Sequence, residues 1–313
     1  MELPIFAQQF VAHLQENGRK ASTVSMYKHD LLKFFEWLSK YKTGIDGEIW
    51  GDLTREDYER YFTYLKEKNS SEANLKRVAS HLNGLIKYYR LSDRIGTLKG
   101  TETKQRALTA SDFITDEDAA TLLASIPKKK GLTETQLGIH PYLRYRNLSM
   151  VTLMITYGLT IDEVVSINMK DINFAQNTLR IANEKNSRSI DLDSKDKRLI
   201  YKYVMSIPEL NRPKDYSDDP IFIAFHATKL VYWYDYNIGK PKRISLKSIQ
   251  RMIEKEVERS GIERNVRPTH FRNSCILKKV KEGWSNDSLI SYFGLTSRHA
   301  LYRFKRYLKG RCE

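Results

Sequence analysis

The strongest constraint on the fold is an apolar period of about 3.6 residues that recurs through the first ninety positions. In TVSMYKHDLLKFFEWLSKY, Val24, Tyr27, Leu31, Phe34, Phe35 and Leu38 fall on one helical stripe. PIFAQQFVAHLQENG places Phe6, Phe10, Val11 and Leu14 in the same way, and Gly18 ends that run. Thr54 followed by Glu56 and Asp57 opens a third segment through Tyr58, Tyr61, Phe62 and Leu65, and Ser70-Ser71 precede a fourth, EANLKRVASHLNGLIKYYR. A helix with one apolar stripe must bury it against a partner. Four of them with short connections imply a helical bundle over residues 1–95. Lys28, Lys76 and Arg77 fall on its polar faces and are candidate DNA contacts, with ordinary surface as the plainer reading.

Residues 96–111, GTLKGTETKQRALTAS, change character: small, polar and basic. They read as a linker between domains, either a plain tether or a strand lying along a phosphate backbone through Lys104 and Arg106. The second domain, 112–313, is expected to be mainly helical with a small antiparallel β element. DFITDEDAATLLASI is a capped helix, and after a loop to His140 the segment YLRYRNLSMVTLMITYGL is an apolar helix closed by Gly158. TIDEVVSINMKDINFAQ continues as a short helix and a turn. TLRIA and RSIDL read as a hairpin around the basic turn EKNS, with Lys185 and Arg188 near its tip. Helices over 194–205 and 245–260 flank a short apolar run, IFIAF.

The densest chemistry lies at residues 267–307. Pro268 and Thr269 signal a helix start, and Arg272 and Asn273 follow within its first turns. Further on, basic residues alternate with the rings Tyr302, Phe304 and Tyr307. Alone, this stretch fits a nucleic-acid surface, a partner helix or a tyrosine-based phosphoryl-transfer site. Charge favours nucleic acid: 53 Lys+Arg against 38 Asp+Glu give a formal net charge of +15, which implies a polyanionic partner. The two cysteines, Cys275 and Cys312, are too few for a disulfide framework or a structural zinc site. No cofactor or metal is expected. No apolar run approaches the roughly 18 residues of a membrane span, so a cytoplasmic protein with no membrane partner is expected.

Four phrases in order, RKASTVSMYKHDLLKFFEWL, YGLTIDEVVSINMKDINFAQNTLRIA, PIFIAF and PTHFRNS, resemble the tyrosine recombinases of the phage integrase family across nearly the whole chain. The resemblance implies a two-domain clamp, a helical core-binding bundle followed by an integrase-type catalytic domain. It also implies a reaction in which a tyrosine attacks a DNA phosphodiester and leaves a 3′-phosphotyrosyl link. Such chemistry needs cations around a phosphate gaining charge, and groups that move two protons.

Measured against the family pattern, several positions are replaced. Thr160 stands where the first arginine follows Gly-Leu, and a hydroxyl cannot supply the charged bidentate clamp. Glu163 keeps the acidic helper, and Lys185 stands for the hairpin lysine. Thr269 replaces a histidine, with His270 one place late and about 100° round the helix. Arg272 keeps its arginine, either as a phosphate contact or in a core ion pair with Glu163. Leu295 follows Gly294 where a histidine or tryptophan is usual, and counting onward puts Phe304 at the nucleophile position. Losing one transition-state donor costs about 10²–10³ in rate.

The resulting expectation is a protein that is not an enzyme. It would bind specific double-stranded DNA through Lys28, Lys76, Arg77, Lys104, Arg106, Lys185, Arg188, His270, Arg272, Asn273 and Arg298, and act as a phage repressor that controls lysogeny. The alternatives are a divergent recombinase acting through Tyr302, Arg272 and Lys185, and a DNA-architectural accessory to a recombinase. Self-association through the last helix, where Leu301, Phe304 and Leu308 form the apolar stripe, and a phage-encoded regulatory or recombinase partner complete the expected partners.

Overall fold

The computed structural model describes residues 2–41, 53–99, 106–182 and 187–310. They form two compact units that divide at Arg106 and Ala107.

The first unit is helical. α1 (Ile5–Glu16) and α2 (Ala21–Leu38) are followed by α3 (Arg55–Glu67), α4 (Glu72–Tyr88) and the single turn α5 (Ser92–Ile95). The starts are set by local chemistry. Thr54 and Asp57 close a capping box on α3, and the Ser71 hydroxyl accepts from the Asn74 N–H on α4. Phe34 and Tyr58 stack face to face in the core, with centroids 5.3 Å apart and planes 7° apart. Each ring buried this completely contributes about 2–3 kcal/mol. Polar groups are buried there as well: Asp30 on α2 accepts from Arg77 Nε and Nη2 of α4, both at 2.9 Å, and lies 2.7 Å from Nδ1 of buried His81. Burial raises the Asp30 carboxyl, but His81 and Arg77 outweigh it and hold it below the ordinary range.

Part of the segment read as a linker is docked. Ile95 and Leu98 are buried in the core of the first unit, and the Asn83 amide exchanges hydrogen bonds with the Leu98 backbone at 2.8 and 2.9 Å. Leu108 is buried in the second unit beside Phe113. Apolar side chains at both ends are what the polar composition of 96–111 concealed. Lys104 lies outside the described residues.

In the second unit, α6 (Asp116–Ser125), α7 (Glu134–Tyr157), α8 (Ile161–Ser166), α9 (Ser194–Ser206) and α10 (Leu246–Arg259) precede α11 (Pro268–Lys281), α12 (Asn286–Phe293) and α13 (His299–Lys309). α7 is longer than expected. The expected loop to His140 is helical: a Thr133–Gln136 capping box starts α7 two turns earlier, and the helix runs through Pro141. Its other end is fixed by Gly158 at φ +67°, where a Cβ would come within 2.6 Å of the Phe293 ring. Tyr157 ties α9 to α7, donating to Asp196 Oδ2 and accepting from the Asp193 N–H, each at 2.8 Å.

β2 (Thr178–Ile181) and β3 (Arg188–Asp191) pair antiparallel with Thr178 opposite Asp191, and β1 (Ile172–Asn173) adds a third strand on the other side of β2. Two further two-stranded ribbons, β4 (Phe225–His226) with β5 (Val231–Tyr232) and β6 (Tyr234–Asp235) with β7 (Lys240–Pro241), did not register in the sequence. Strands of two residues are too short to display alternation.

Candidate functional site

The second unit brings three charged side chains together from three elements. Thr160 is the N-cap of α8: its hydroxyl accepts from the Glu163 N–H at 3.2 Å, and its own N–H donates to Glu163 Oε2 at 2.8 Å. The position that the family pattern gives to an arginine is thus occupied by a helix cap, which also fixes the Glu163 carboxylate. From α11, Arg272 donates to Gly158 O at 2.6 Å and to Phe293 O at 2.5 Å, and its Nη1 lies 3.3 Å from Glu163 Oε2. From β3, Arg188 places Nη1 2.7 Å from Glu163 Oε1. Glu163 therefore bridges two guanidiniums.

Electrostatics follow the geometry. Burial pushes the Glu163 carboxyl up, but Arg188, Arg272 and the Thr160 N–H together hold it below its ordinary value. Burial pulls the Arg272 guanidinium down, opposed by Glu163 and reinforced by Arg188. The Cys275 thiol is raised to about 11 by burial, and its Sγ lies 3.4 Å from Thr156 O. It is a core residue.

The remaining candidate residues separate by environment. Lys28, Lys76 and Arg106 are exposed. Arg77 is corrected from a free polar-face residue to the bidentate partner of buried Asp30, because Asp30 has no water to solvate it. Arg188, expected near the hairpin tip as a candidate DNA contact, is the first residue of β3 and is 8% exposed. Lys185 lies outside the described residues. His270 is the third residue of α11, and its Nδ1 accepts from the Arg267 N–H at 3.3 Å; burial lowers its pKa, with Asp112 opposing. Asn273 donates to Asp112 O at 3.0 Å, and Arg298 pairs with Asp287 at 2.8 Å on the surface.

Thr269 is exposed, and Leu295 is half-buried behind Gly294. Phe304 is 5% exposed, edge-on to Phe113 at 6.3 Å, whereas Tyr302 is 64% exposed. Two residues on a helix are about 200° apart, so packing α13 through Leu301 and Phe304 turns Tyr302 outward. Among the described residues no cluster of His, Cys, Asp and Glu could hold a metal, and no helix is long and apolar enough to cross a membrane.

The burial of Arg188 and its pairing with Glu163 escaped the sequence reading, although the signal was present. In RSIDL, Arg188, Ile190 and Leu192 share one side of the strand, and Ile190 and Leu192 are core residues.

The chain is thus a mainly helical, two-unit protein with a carboxylate-bridged arginine pair where Gly158, α11 and β3 converge. Residues 114–307 match the phage integrase family and residues 7–91 match the phage integrase N-terminal SAM-like domain. The chain belongs to the phage integrase family. Among curated relatives, the tyrosine recombinase XerD of Listeria innocua is 24% identical over 275 residues, covering 86% of this chain and 82% of that protein. A tyrosine recombinase of Thermosipho africanus is 22% identical, covering 88% and 84%. Among solved structures, XerH recombinase bound to a palindromic difH substrate superposes with a TM-score of 0.66 at 16% identity, covering 93% of this chain and 78% of that one. A lambda integrase dimer bound to a core site gives 0.61 at 13% identity, covering 96% and 94%.

These relatives correct one expectation. The reading that the chain is not an enzyme is overturned by curated relatives that carry the name of enzymes, tyrosine recombinases, over more than four fifths of its length. The replacements at Thr160, Thr269, Leu295 and Phe304 do not by themselves show that the reaction is lost.

Proposed function

We propose that the protein binds one specific double-stranded DNA sequence and acts on it as a divergent site-specific recombinase. The observation that carries this reading is Arg272. At the position where the family pattern keeps its arginine, it is clamped by two carbonyls and by Glu163 at one end of an otherwise family-like domain. The net charge of +15 supports a polyanionic partner, and the XerH and lambda integrase neighbours are described as DNA complexes.

The reaction follows from phosphate chemistry. The Tyr302 hydroxyl gives up its proton to water as its oxygen attacks phosphorus, a P–O(tyrosyl) bond forms, the P–O5′ bond breaks, and the released 5′-oxygen takes a proton from water. Arg272 faces the charge that develops on the non-bridging oxygens. With Tyr302 64% exposed, this step requires α13 to rotate or shift from its packed position. A duplex carrying a nick next to the scissile phosphate is expected to trap a covalent protein–DNA adduct. Loss of the adduct in Tyr302→Phe assigns the nucleophile, and no adduct at any bound site would count against strand transfer.

A second reading is favoured by burial of Phe304 at the counted nucleophile position and by use of Thr160 as a helix cap. In it, occupancy of the site controls transcription, as a repressor of phage lysogeny would. Bound sites at promoters support it, and bound sites at paired crossover sequences support recombination.

A further inference from the structure

We propose that Arg188 supplies the second phosphate-binding guanidinium of this site, from β3, in place of the arginine that Thr160 replaces. The proposal rests on the DNA-binding reading above and deepens it.

Three observations carry it. First, Arg188 is 92% buried by the complement of its 8% exposure, yet none of its three guanidinium nitrogens makes a well-aligned hydrogen bond among the described residues. Its Nη1 is near Glu163 Oε1 at 2.7 Å, a charge contact with poor N–H alignment. A buried guanidinium with unused donors is costly unless a ligand completes it.

Second, the charges do not balance. Among the described residues, Arg188 and Arg272 share a single carboxylate, Glu163, a balance of one positive charge in a desolvated place. A phosphodiester carries one negative charge and several acceptor oxygens, so it matches both the residual charge and the free donors. A second carboxylate from the protein would have abolished the site, and none is paired there among the described residues.

Third, the backbone makes room for this guanidinium. Gly294 takes φ +59°, and a Cβ on it would sit 2.8 Å from Arg188 Nη1. A side chain at 294 would be strained at this positive φ and would force the guanidinium to shift. Gly294 immediately follows Phe293, whose carbonyl holds Arg272, so one short segment seats both arginines.

Thr160 and Arg188 thus divide what one arginine would do. The threonine orients Glu163 by capping α8, and Glu163 holds a guanidinium that arrives from the sheet.

The test uses the full chain and a short random-sequence duplex, so it needs no knowledge of the specific site. The logarithm of affinity is followed against the logarithm of salt concentration. Arg188→Gln is expected to bind more weakly and to lower the slope by about one relative to the native chain. Thr160→Arg in the Arg188→Gln background is expected to restore it. A folded Arg188→Gln protein with unchanged affinity and slope overturns the proposal. Should that variant not fold, the native protein still decides. The Arg188 Nε–H resonance, assigned by its absence in Arg188→Lys, is expected to shift and gain exchange protection when duplex is added. An Arg188 signal indifferent to bound duplex overturns the proposal. A native chain with no salt-dependent affinity for any duplex would instead sink the DNA-binding reading itself, which separates the two failures.

Discussion

Glu163 touches two guanidiniums and a backbone N–H at once, and its protonation therefore reports on the whole cluster. Because its folded-state pKa is depressed, its stabilising contribution is fully present above the unfolded value, about 4.3, and fades as pH falls through the folded value. The native chain is expected to be more stable than Glu163→Gln at neutral pH, and the difference in Tm should close as the solution is acidified below the ordinary glutamate range. A gap that is constant across that range would mean that the carboxylate is not held charged by its neighbours. Phe304 makes a separate claim. It is almost fully buried against Phe113, so Phe304→Ala should cost about 3–5 kcal/mol in chemical denaturation, whereas Tyr302→Ala, on the exposed face, should cost well under 1 kcal/mol. Similar losses for both would show that α13 does not pack in this orientation.

At the scale of elements, the sequence displayed what is periodic and hid what is short or tertiary. The stripe through Val24, Leu31, Phe34 and Leu38 identified α2 because eighteen residues repeat one period and every one of these side chains is buried. The pairing of Thr178–Ile181 with Arg188–Asp191 was likewise legible from alternation and a polar turn. The ribbons β4–β5 and β6–β7 were not, since two-residue strands leave no pattern. The start of α7 was misjudged, since residues read as a loop to His140 are helical from the Thr133–Gln136 capping box onward. Of the site, Thr160, Glu163 and Arg272 could be placed by local wording around Gly158 and along PTHFRNS. The Arg272–Glu163 pair was one of two readings offered for that arginine, whereas its bond to the Gly158 carbonyl, 114 positions away, could not be read from local wording. Arg188 was read only as a basic residue near the hairpin tip, and the alternation that buries it beside Ile190 went unused. Capping also gives a prediction at this scale. Thr160→Ala removes the acceptor for the Glu163 N–H and should cost about 1 kcal/mol, while Thr160→Ser should be nearly neutral, both read from denaturation midpoints. A neutral Thr160→Ala would mean that the cap is not the reason for threonine at this position.

At the scale of the molecule, a helical SAM-like unit and an integrase-type unit each contribute basic surface to a chain of net charge +15. Exposed Lys28 and Lys76 on the first unit would contact phosphates without reading sequence. Replacing both by alanine is expected to weaken specific and random binding alike and to lower the salt slope by about two. A loss confined to the specific site would show that they do more than position the backbone. The central claim is that the chain recognises one DNA sequence, and it is tested most directly by selecting bound duplexes from fragmented genomic DNA and measuring their affinity against random duplex at one salt concentration. The expected result is a shared site bound at least about 10³-fold more tightly. Equal affinity for selected and random duplexes would contradict it.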